Sequence, residues 1–395
     1  MTSNFMKILM VASYLPYPLH SGGHVRLYNL IKELSGRHEI TLICEKRPNQ
    51  TRDDVKEVEK ICKKVVTVVR RKQWSLENIA KSVFSSRSFL VTGHTHPEMS
   101  KKIGEELQNS SFDLIHVETF YVLQNVPHTS LPILLVEHNI EYSVYQKFAE
   151  RFPVALRSLF KLDIAKIKRE EEAAWKMATT LVAVSAEDKK VMETAGFHPS
   201  VVSNGVDIRQ FSFKAKKTDK EKKILFIGDF KWVQNRDSAS WAIKEVWPKI
   251  ISNFPSKLWV VGRSIPDSIK SLTHDPDVLF DEASSSKPTP QIFQEADILL
   301  APIRVGGGTS YKILEAMACG TPVVTMQMSA SAIEAKDGEH VMVGQTSEEL
   351  AEKTVRLLQD HKLYEKIAMN GRKLIEEKYS WKEIAGELEK VYASC

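Results

Sequence analysis

Short apolar runs recur along the whole chain, and most of them are followed by a stretch with helical periodicity. The runs are aliphatic or β-branched and apolar on both faces, which is typical of parallel strands covered on both sides of a sheet. In the first half they lie at 8–12, 40–44, 65–69, 114–117, 133–136, 181–184 and 201–202. In the second half they lie at 224–227, 258–261, 278–280, 298–301, 322–325 and 341–343. The pattern predicts an alternating α/β architecture.

These strands are too many for one open sheet of ordinary size, which favours two doubly wound domains. A lysine-dense stretch at 214–223 marks the boundary, and Ser380 is a candidate N-cap for a last helix. We predict an N-terminal Rossmann-like domain of residues 1–207 that also takes the helix 380–395. Residues 208–379 form the second Rossmann-like domain. Two such domains facing a cleft bind ligand at the carboxyl ends of their strands.

Composition and charge exclude several functional classes. The 395 residues are 43% hydrophobic and 27% charged, which excludes a disordered or fibrous protein. Fifty-five basic and 50 acidic residues give a net charge of +5, a bias too weak to indicate a nucleic-acid partner. It is compatible with an anionic small ligand or with a peripheral membrane contact.

The cysteines and the N-terminus bear on localisation. The four cysteines show neither metal-ligand spacing nor a CxxC pair, which favours free thiols in a reducing compartment. No segment is long and apolar enough for a membrane helix. The apolar run near the N-terminus resembles a short signal peptide, but Pro16 and Pro18 follow it without a cleavage pattern. We therefore expect a cytoplasmic protein, with the inner face of the cell membrane as a further location.

The most informative motif is a glycine-rich turn that follows the run at 298–301. Gly306, Gly307 and Gly308 let backbone amides approach an anion, and Thr309 or Ser310 is placed to cap the helix that follows. The positive end of the helix dipole adds to the attraction. The turn therefore predicts a cradle for a diphosphate.

Two charged residues follow on one face of that helix. Lys312 is placed to neutralise a phosphate oxygen, and Glu315, three residues later, to accept hydrogen bonds from a ribose diol. A tight turn followed by an ordinary exposed lysine and glutamate remains the alternative interpretation of these residues.

The string from Arg304 to Val324 resembles the nucleotide-binding signature of the retaining GT-B glycosyltransferases of family 4, and this resemblance extends over nearly the whole chain. The signature is a Glu, seven residues, then Glu-Ala-Met-Ala-x-Gly-x-Pro-Val-Val. Its second Glu matches Glu315, whereas its first falls on Gly307. Since that first carboxylate lies near the donor sugar in the family, the resemblance implies that a backbone amide of the glycine loop replaces it or that the sugar is held differently. Gly307 and Lys312 are therefore candidate catalytic positions.

A second segment of the resemblance follows the run at 224–227. Gly228 matches the family's Phe-x-Gly turn, but Asp229 and Asn235 stand where many members have an Arg and a Lys on the diphosphate. Asn235 is placed to donate a hydrogen bond there or to cap the next helix, and Lys231 or Arg236 to replace the lost charge.

Two loops of the first half match family positions next to the donor. Gly22 and Gly23 open an amphipathic helix, and paired glycines there suit close approach of a phosphate or sugar. His138 follows the run at 133–136, where a family histidine lies beside the donor sugar, so it is our first candidate for a sugar contact. Glu141 is a candidate cap of the next helix.

Three further positions carry weaker signals. Arg263, Asp281 and Glu282 follow strands where the family binds the base, and of these Arg263 is our candidate donor-binding residue. Gly205 indicates a turn with a positive φ as readily as a ligand contact.

A basic, partly apolar helix, with cations at 157, 161, 166, 168 and 169, is a candidate for contact with anionic lipid. Such a helix more often covers a sheet and exposes its charges to water.

The resemblance implies a transferase that moves a sugar from a nucleotide-sugar donor to a saccharide or glycolipid acceptor with retention, in polysaccharide or glycolipid synthesis. No Asp-x-Asp motif stands in a suitable loop, so we expect no metal and no cofactor. Leaving-group charge on the diphosphate would be stabilised by amides and Lys312. A nucleotide-sugar epimerase and a non-catalytic GT-B subunit remain alternatives.

Overall fold

The computed structural model describes residues 5–150, 154–215, 221–282, 287–304 and 308–395, with only the backbone of 154–156, 158 and 159. The chain divides into two compact units, one of Met1–Ser203 with Ile384–Cys395 and the other of Asn204–Glu383. The predicted division ran at 207/208 and 379/380. Residues 204–207 stay with the second unit because Val206 pairs with Ser380, and a Cβ on Gly205 would lie 2.9 Å from the Trp381 ring. The expected positive φ at Gly205 is wrong, since close approach to this ring is what excludes a side chain there.

The first unit contains a parallel sheet with the strand order β3-β2-β1-β4-β5-β6-β7. Its strands are β1 (Lys7–Ala12), β2 (Glu39–Lys46), β3 (Lys64–Val69), β4 (Leu114–Glu118), β5 (Ile133–Glu137), β6 (Thr180–Ala183) and β7 (Ser200–Val201). Each overlaps a predicted run. The central strands are buried on both faces, so their sequences are continuously apolar.

Nine described helices belong to this unit. They are α1 (Gly22–Leu34), α2 (Arg52–Glu59), α3 (Leu76–Phe84), α4 (Phe89–Gly93), α5 (Pro97–Asn109), α6 (Phe120–Leu123), α7 (Glu141–Ala149), α8 (Val154–Met177) and α9 (Ala186–Thr194). Side chains that accept from the first turn fix several starts. Thr51 and Asp54 form a reciprocal capping box on α2, and Ser185 accepts from the Asp188 N–H on α9.

The second unit has a parallel sheet with the order β10-β9-β8-β11-β12-β13. Its strands are β8 (Lys223–Asp229), β9 (Lys257–Arg263), β10 (Val278–Asp281), β11 (Ile298–Ala301), β12 (Val323–Thr325) and β13 (Met342–Val343). All six were predicted.

The described helices of the second unit include two π-helical stretches, Ala242–Val246 and Ile375–Tyr379. The α-helices are α10 (Val233–Trp241), α11 (Trp247–Ile251), α12 (Asp267–Lys270), α13 (Thr289–Glu295), α14 (Tyr311–Ala318), α15 (Gln327–Ser331), α16 (Ser347–Gln359), α17 (His361–Leu374) and α18 (Trp381–Tyr392), whose last residues join the first unit.

Strand order fixes where ligands are expected. In the first sheet β1 lies between β2 and β4, and in the second β8 lies between β9 and β11. The chain therefore reverses its winding direction at β1/β4 and at β8/β11, and the crevice outside the carboxyl ends at such points is where open α/β sheets bind ligands. The glycine turns of α1 and α14 follow β1 and β11.

The last helix packs on the first unit as predicted. Ser380 Oγ accepts a hydrogen bond of 3.3 Å from the Glu383 N–H, which confirms the N-cap. Further along, buried Glu389 contacts His38 Nε2 at 2.9 Å and Arg37 Nη1 at 2.7 Å.

Candidate active site

A cavity of about 620 Å³ opens in the second unit at the carboxyl ends of β8 and β9. Its wall combines glycines, three cations and two carboxylates. The lining residues are Ile227, Gly228, Asp229, Val261, Gly262, Arg263, Lys287, Pro288, Thr289, Ile292, Tyr311, Lys312 and Glu315. The structure thus brings together Gly228, Arg263, Lys312 and Glu315, which are far apart in the sequence and were predicted as site residues.

Two paired glycines form part of the wall of this cavity. Gly228 on β8 pairs with Gly262 on β9. A Cβ on Gly262 would lie 2.0 Å from the Gly228 carbonyl oxygen, and a Cβ on Gly228 would lie 2.7 Å from Asn235 Cγ. Neither position has room for a side chain, so the backbone itself forms this wall.

Lys312 is held by Asn235, a predicted donor-binding residue on another helix, through a contact that was not predicted. Its Nζ donates a 2.9 Å hydrogen bond to Asn235 Oδ1 and lies 5.3 Å from the centre of the Phe226 ring. The Asn235 Nδ2 donates to the Asp229 carbonyl oxygen at 2.9 Å. Asn235 lies inside α10, whose N-cap is Trp232, so the alternative that it caps this helix is wrong.

Burial shifts both charged groups of α14. Desolvation lowers the pKa of Lys312 to about 8, and the neighbouring Glu315 opposes this shift. Desolvation likewise raises the pKa of Glu315 to about 7 against the attraction of Lys312. An anion beside the lysine would stabilise its charged form, and hydroxyl donors beside the carboxylate would stabilise its ionised form.

The start of α14 differs from expectation. Ser310 occupies the N-cap position, but its side chain makes no capping hydrogen bond. The Thr309 hydroxyl is buried without a hydrogen-bond partner among the described residues. The capping role proposed for these residues is therefore wrong. Gly308 has a φ of +80°, which favours glycine. Gly306 and Gly307 lie outside the described residues.

Of the three residues predicted near the base, the structure places only Arg263 in the cavity wall. Arg263 lines the cavity, whereas Asp281 accepts from the Trp259 indole at 3.3 Å and Glu282 pairs with Lys270 at 2.8 Å. Lys287, Pro288, Thr289 and Tyr311 line the cavity and were not predicted. A signal was available for part of this set, since 287–289 begin the first helix after β10, at the same sheet edge.

In the first unit, the predicted glycines and histidine lie close to one another. Gly22 and Gly23 begin α1, and a Cβ on Gly23 would lie 2.9 Å from the Tyr14 hydroxyl and 3.6 Å from His138 Nδ1. His138 Nε2 contacts the buried carboxylate of Glu118 at the end of β4. Sequence reasoning missed Glu118. Glu141 begins α7 and gives its backbone N–H to Glu171, so it is not the N-cap.

Within the described parts of the chain, no group of three or more His, Cys, Asp or Glu side chains is arranged to hold a metal ion. Across the same residues, no helix has both the length and the apolar character needed to cross a bilayer.

Two family models match the chain. The model described as Glycosyltransferase Family 4 matches residues 20–210, and the model described as Glycosyl transferases group 1 matches residues 221–360. The two matches fall on the two units.

Curated relatives match at low identity. An uncharacterized 44.6 kDa protein in the cps region of Klebsiella pneumoniae is 21% identical over 96% of this chain and 97% of its own length. The phosphatidyl-myo-inositol mannosyltransferase of Mycobacterium tuberculosis is 22% identical over 75% of this chain and 77% of its own.

Among solved structures, Anabaena Alr3699/HepE in complex with UDP and glucose superposes with a TM-score of 0.66 at 17% identity. The match covers 99% of this chain and 100% of that one. The two parallel α/β units together with this likeness confirm the predicted GT-B fold class.

Proposed function

The chain is a glycosyltransferase of the GT-B fold and the family 4, group 1 type, and from that premise we propose that it transfers a sugar from a nucleotide-sugar donor to a saccharide or glycolipid acceptor. The observation that carries the proposal is the cavity of the second unit, where Lys312 and Glu315 lie beside a wall of glycine backbone. The structural neighbour with bound UDP and glucose supports the same donor chemistry.

In this proposal each group of the cavity has one role. Lys312 neutralises a phosphate oxygen of the diphosphate, and Glu315 accepts hydrogen bonds from the ribose hydroxyls. Arg263 adds positive charge at the rim. As the anomeric bond breaks, negative charge grows on the diphosphate, and the lysine together with backbone amides stabilises it. His138 of the first unit acts on the transferred sugar.

We infer three finer features from the family resemblance. The reaction retains the anomeric configuration by a front-face path in which the leaving group assists deprotonation of the acceptor. It proceeds without a metal ion, and it uses no cofactor. An NMR spectrum of the first product would show the configuration, and turnover in EDTA equal to that in Mg²⁺ is the result expected for the second feature.

The donor is tested first by thermal shift with UDP, GDP, ADP and CDP. Binding stabilises the folded state by RT ln(1 + [L]/Kd), so one selective base should raise the unfolding temperature most. Lys312→Met should reduce that shift, and Lys249→Met, which removes a partly exposed lysine of the same unit that pairs with Glu348, should leave it unchanged. No shift with any nucleotide would refute the donor assignment.

We also propose that the glycolipid form of the acceptor is met at a membrane surface. The mycobacterial relative is named for phosphatidyl-myo-inositol, a lipid. Five large apolar side chains of this chain are exposed around α3, with Trp74 80%, Leu76 87% and Phe84 90% exposed. Ile79 and Val83 complete the surface.

Cations surround this apolar surface. A cavity of about 470 Å³ beside α3 is lined by Arg71, Lys81 and Arg87 without a carboxylate. Of the basic residues predicted on α8 for lipid contact, Lys166 is engaged within the protein. Its Nζ donates to the Ser82 and Ser85 carbonyls at 2.7 and 2.9 Å. An anionic lipid surface complements both properties of the α3 region.

Sedimentation with vesicles tests this contact. The protein should sediment with phosphatidylglycerol vesicles and much less with phosphatidylcholine vesicles. Leu76→Ser combined with Phe84→Ser should abolish the difference, whereas Leu162→Ser, at a position 75% exposed in the same unit, should not. Equal sedimentation of all variants would exclude α3 as the contact.

A further inference from the structure

A chain of four polar side chains runs through the interior of the first unit. The Tyr392 hydroxyl lies 2.6 Å from His116 Nδ1, and His116 Nε2 lies 3.0 Å from Glu118 Oε1. The other oxygen of Glu118 contacts His138 Nε2. His116, Glu118 and Tyr392 are almost completely buried, and the His138 side chain is 15% exposed. These four side chains therefore connect Tyr392 of α18 to His138, the one among them that is partly exposed.

Proton positions along this chain follow from its deepest member. Burial raises the pKa of the Tyr392 hydroxyl well above its usual range, so the hydroxyl keeps its proton. It can therefore donate a hydrogen bond to His116 Nδ1. His116 then carries its own proton on Nε2 and donates to Glu118. The second oxygen of Glu118 accepts from His138 Nε2–H in the same way.

The contacts of the two histidines then single out His138. They hold the pKa of Glu118 well below its usual range although burial opposes this, so the carboxyl is ionised. A buried carboxylate needs polar partners, and the two imidazoles supply them. The second ring nitrogen of His116 contacts Tyr392, whereas that of His138, Nδ1, lies towards Gly23.

We propose that Glu118 is the positioning residue of His138, fixing its ring through Nε2 and thereby orienting Nδ1 for a hydrogen bond with the transferred sugar. This rests on the proposed function, in which His138 contacts that sugar. Glu118 itself touches no substrate and acts through the imidazole. His116 and Tyr392 fix the second oxygen of Glu118, so the last helix of the chain is part of the support.

The first unit provides a matched control for this carboxylate. Glu45 is the penultimate residue of β2 at the same sheet edge, is equally buried, and contacts His94 Nδ1 at 3.0 Å. Glu45 does not contact His138. Glu45→Gln therefore reports what the loss of a buried carboxylate on a histidine does to the unit in general.

Other titratable groups near the chain have to be considered in a pH experiment. The Tyr14 ring centre lies 6.4 Å from that of His138. Arg26 on α1, Glu389 on α18 and Cys395 beyond the end of α18 act on Tyr392. Because all variants keep these groups, a change that follows Glu118 alone is attributable to it.

The test compares Glu118→Gln, Glu118→Asp, Glu45→Gln and His138→Ala in the full chain. NMR of histidine-labelled protein follows the titration of His138, and release of nucleotide from UDP-glucose, GDP-mannose and ADP-glucose gives kcat and KM. Glu118→Gln should change the NMR signals of the His138 ring, because a neutral amide replaces the carboxylate that contacts Nε2. It should also lower kcat about tenfold or more with little change in KM. Glu118→Asp should restore part of kcat, and Glu45→Gln should change neither quantity.

The outcomes separate the inference from its premise. If His138→Ala is inactive while Glu118→Gln keeps the wild-type kcat and His138 titration, the positioning role is wrong. If Glu118→Gln and Glu45→Gln lose kcat and stability alike, the role of Glu118 is structural and the proposal is overturned. If His138→Ala keeps full activity, the role of His138 in the proposed function fails and the inference fails with it. If Glu118→Gln does not fold, Tyr392→Phe and Glu118→Asp replace it, and an unchanged kcat and His138 titration in both refute the role.

Discussion

Removal of the Lys312 ammonium should change nucleotide binding in a way that depends on pH. Burial lowers the pKa of Lys312 from 10.5 to about 8. The difference corresponds to at most roughly 3 kcal/mol by which burial disfavours the charged form. A diphosphate beside Nζ offsets this cost, so nucleotide binding and protonation of Lys312 are coupled.

The direction of the pH dependence follows from the two values. Below a pH of about 8 the lysine is already charged, so its protonation does not affect Kd. Above that pH binding must take up a proton, and Kd should rise towards about tenfold per pH unit. Glu315, with a pKa of about 7, becomes neutral on the acid side and accepts ribose hydrogen bonds less well. Binding should therefore be tightest between these two pKa values.

Calorimetry with a nucleotide-sugar of the base selected by thermal shift measures both Kd and proton uptake. Lys312→Met should weaken binding by about 10- to 100-fold near neutral pH and remove the alkaline limb. Glu315→Gln should remove the acid limb. Lys249→Met should keep both. A wild-type Kd that stays constant above pH 8, or an alkaline limb that persists in Lys312→Met, would refute the coupling.

Three other changes probe the cavity wall and the stability of the first unit. Gly262→Ala places a Cβ 2.0 Å from the Gly228 carbonyl oxygen, so it should weaken nucleotide binding about tenfold or more in a titration, or prevent folding as seen by circular dichroism. Glu389→Ala leaves the buried His38 ring without its carboxylate partner and removes the contact with the exposed Arg37, so it should cost about 2 kcal/mol or more in urea unfolding, whereas Glu387→Ala, in an exposed ion pair, should cost almost nothing. Burial raises the pKa of Glu171 to about 8, so its contribution to stability should be lost as pH rises from about 4.5 to 8, by at most about 1.4 kcal/mol per pH unit, and Glu171→Gln should flatten that slope in unfolding titrations.

The strands were predictable because a strand that is buried on both faces has a continuously apolar sequence. A strand such as Ile133–Glu137 has no solvent side, so its residues form one apolar run, and every such run became a strand. The turns after the strands could be located for the same reason. Once the strands are fixed, the carboxyl edge of each sheet is fixed too, and Gly228, Lys312 and Glu315 come to one cavity.

Contacts between distant segments could not be predicted. Glu118 ends an apolar strand and looks like a helix-proximal acidic residue, yet it lies between two histidines, and its support reaches Tyr392 at the other end of the chain. Gly205 shows the same limit, because the ring that excludes a side chain there belongs to Trp381. Local sequence indicates that a glycine matters, but not which neighbour requires it.

The departure from the family pattern at Asn235 is linked in the structure to Lys312 of the candidate site. Asn235 stands where many family members have a phosphate-binding lysine, and its two amide atoms are both engaged, one by the Asp229 carbonyl and the other by Lys312 Nζ. The ammonium that the loop after β8 lacks is thus supplied from α14 at the same point. Asn235→Lys should therefore weaken nucleotide binding, because it places two ammonium groups together in a site that already lowers the pKa of one. Asn235→Lys combined with Lys312→Ala should bind more tightly than either single variant. If Asn235→Lys alone binds more tightly than the wild type, positions 235 and 312 hold separate phosphates. The inference that Lys312 replaces the ammonium missing at position 235 is then refuted.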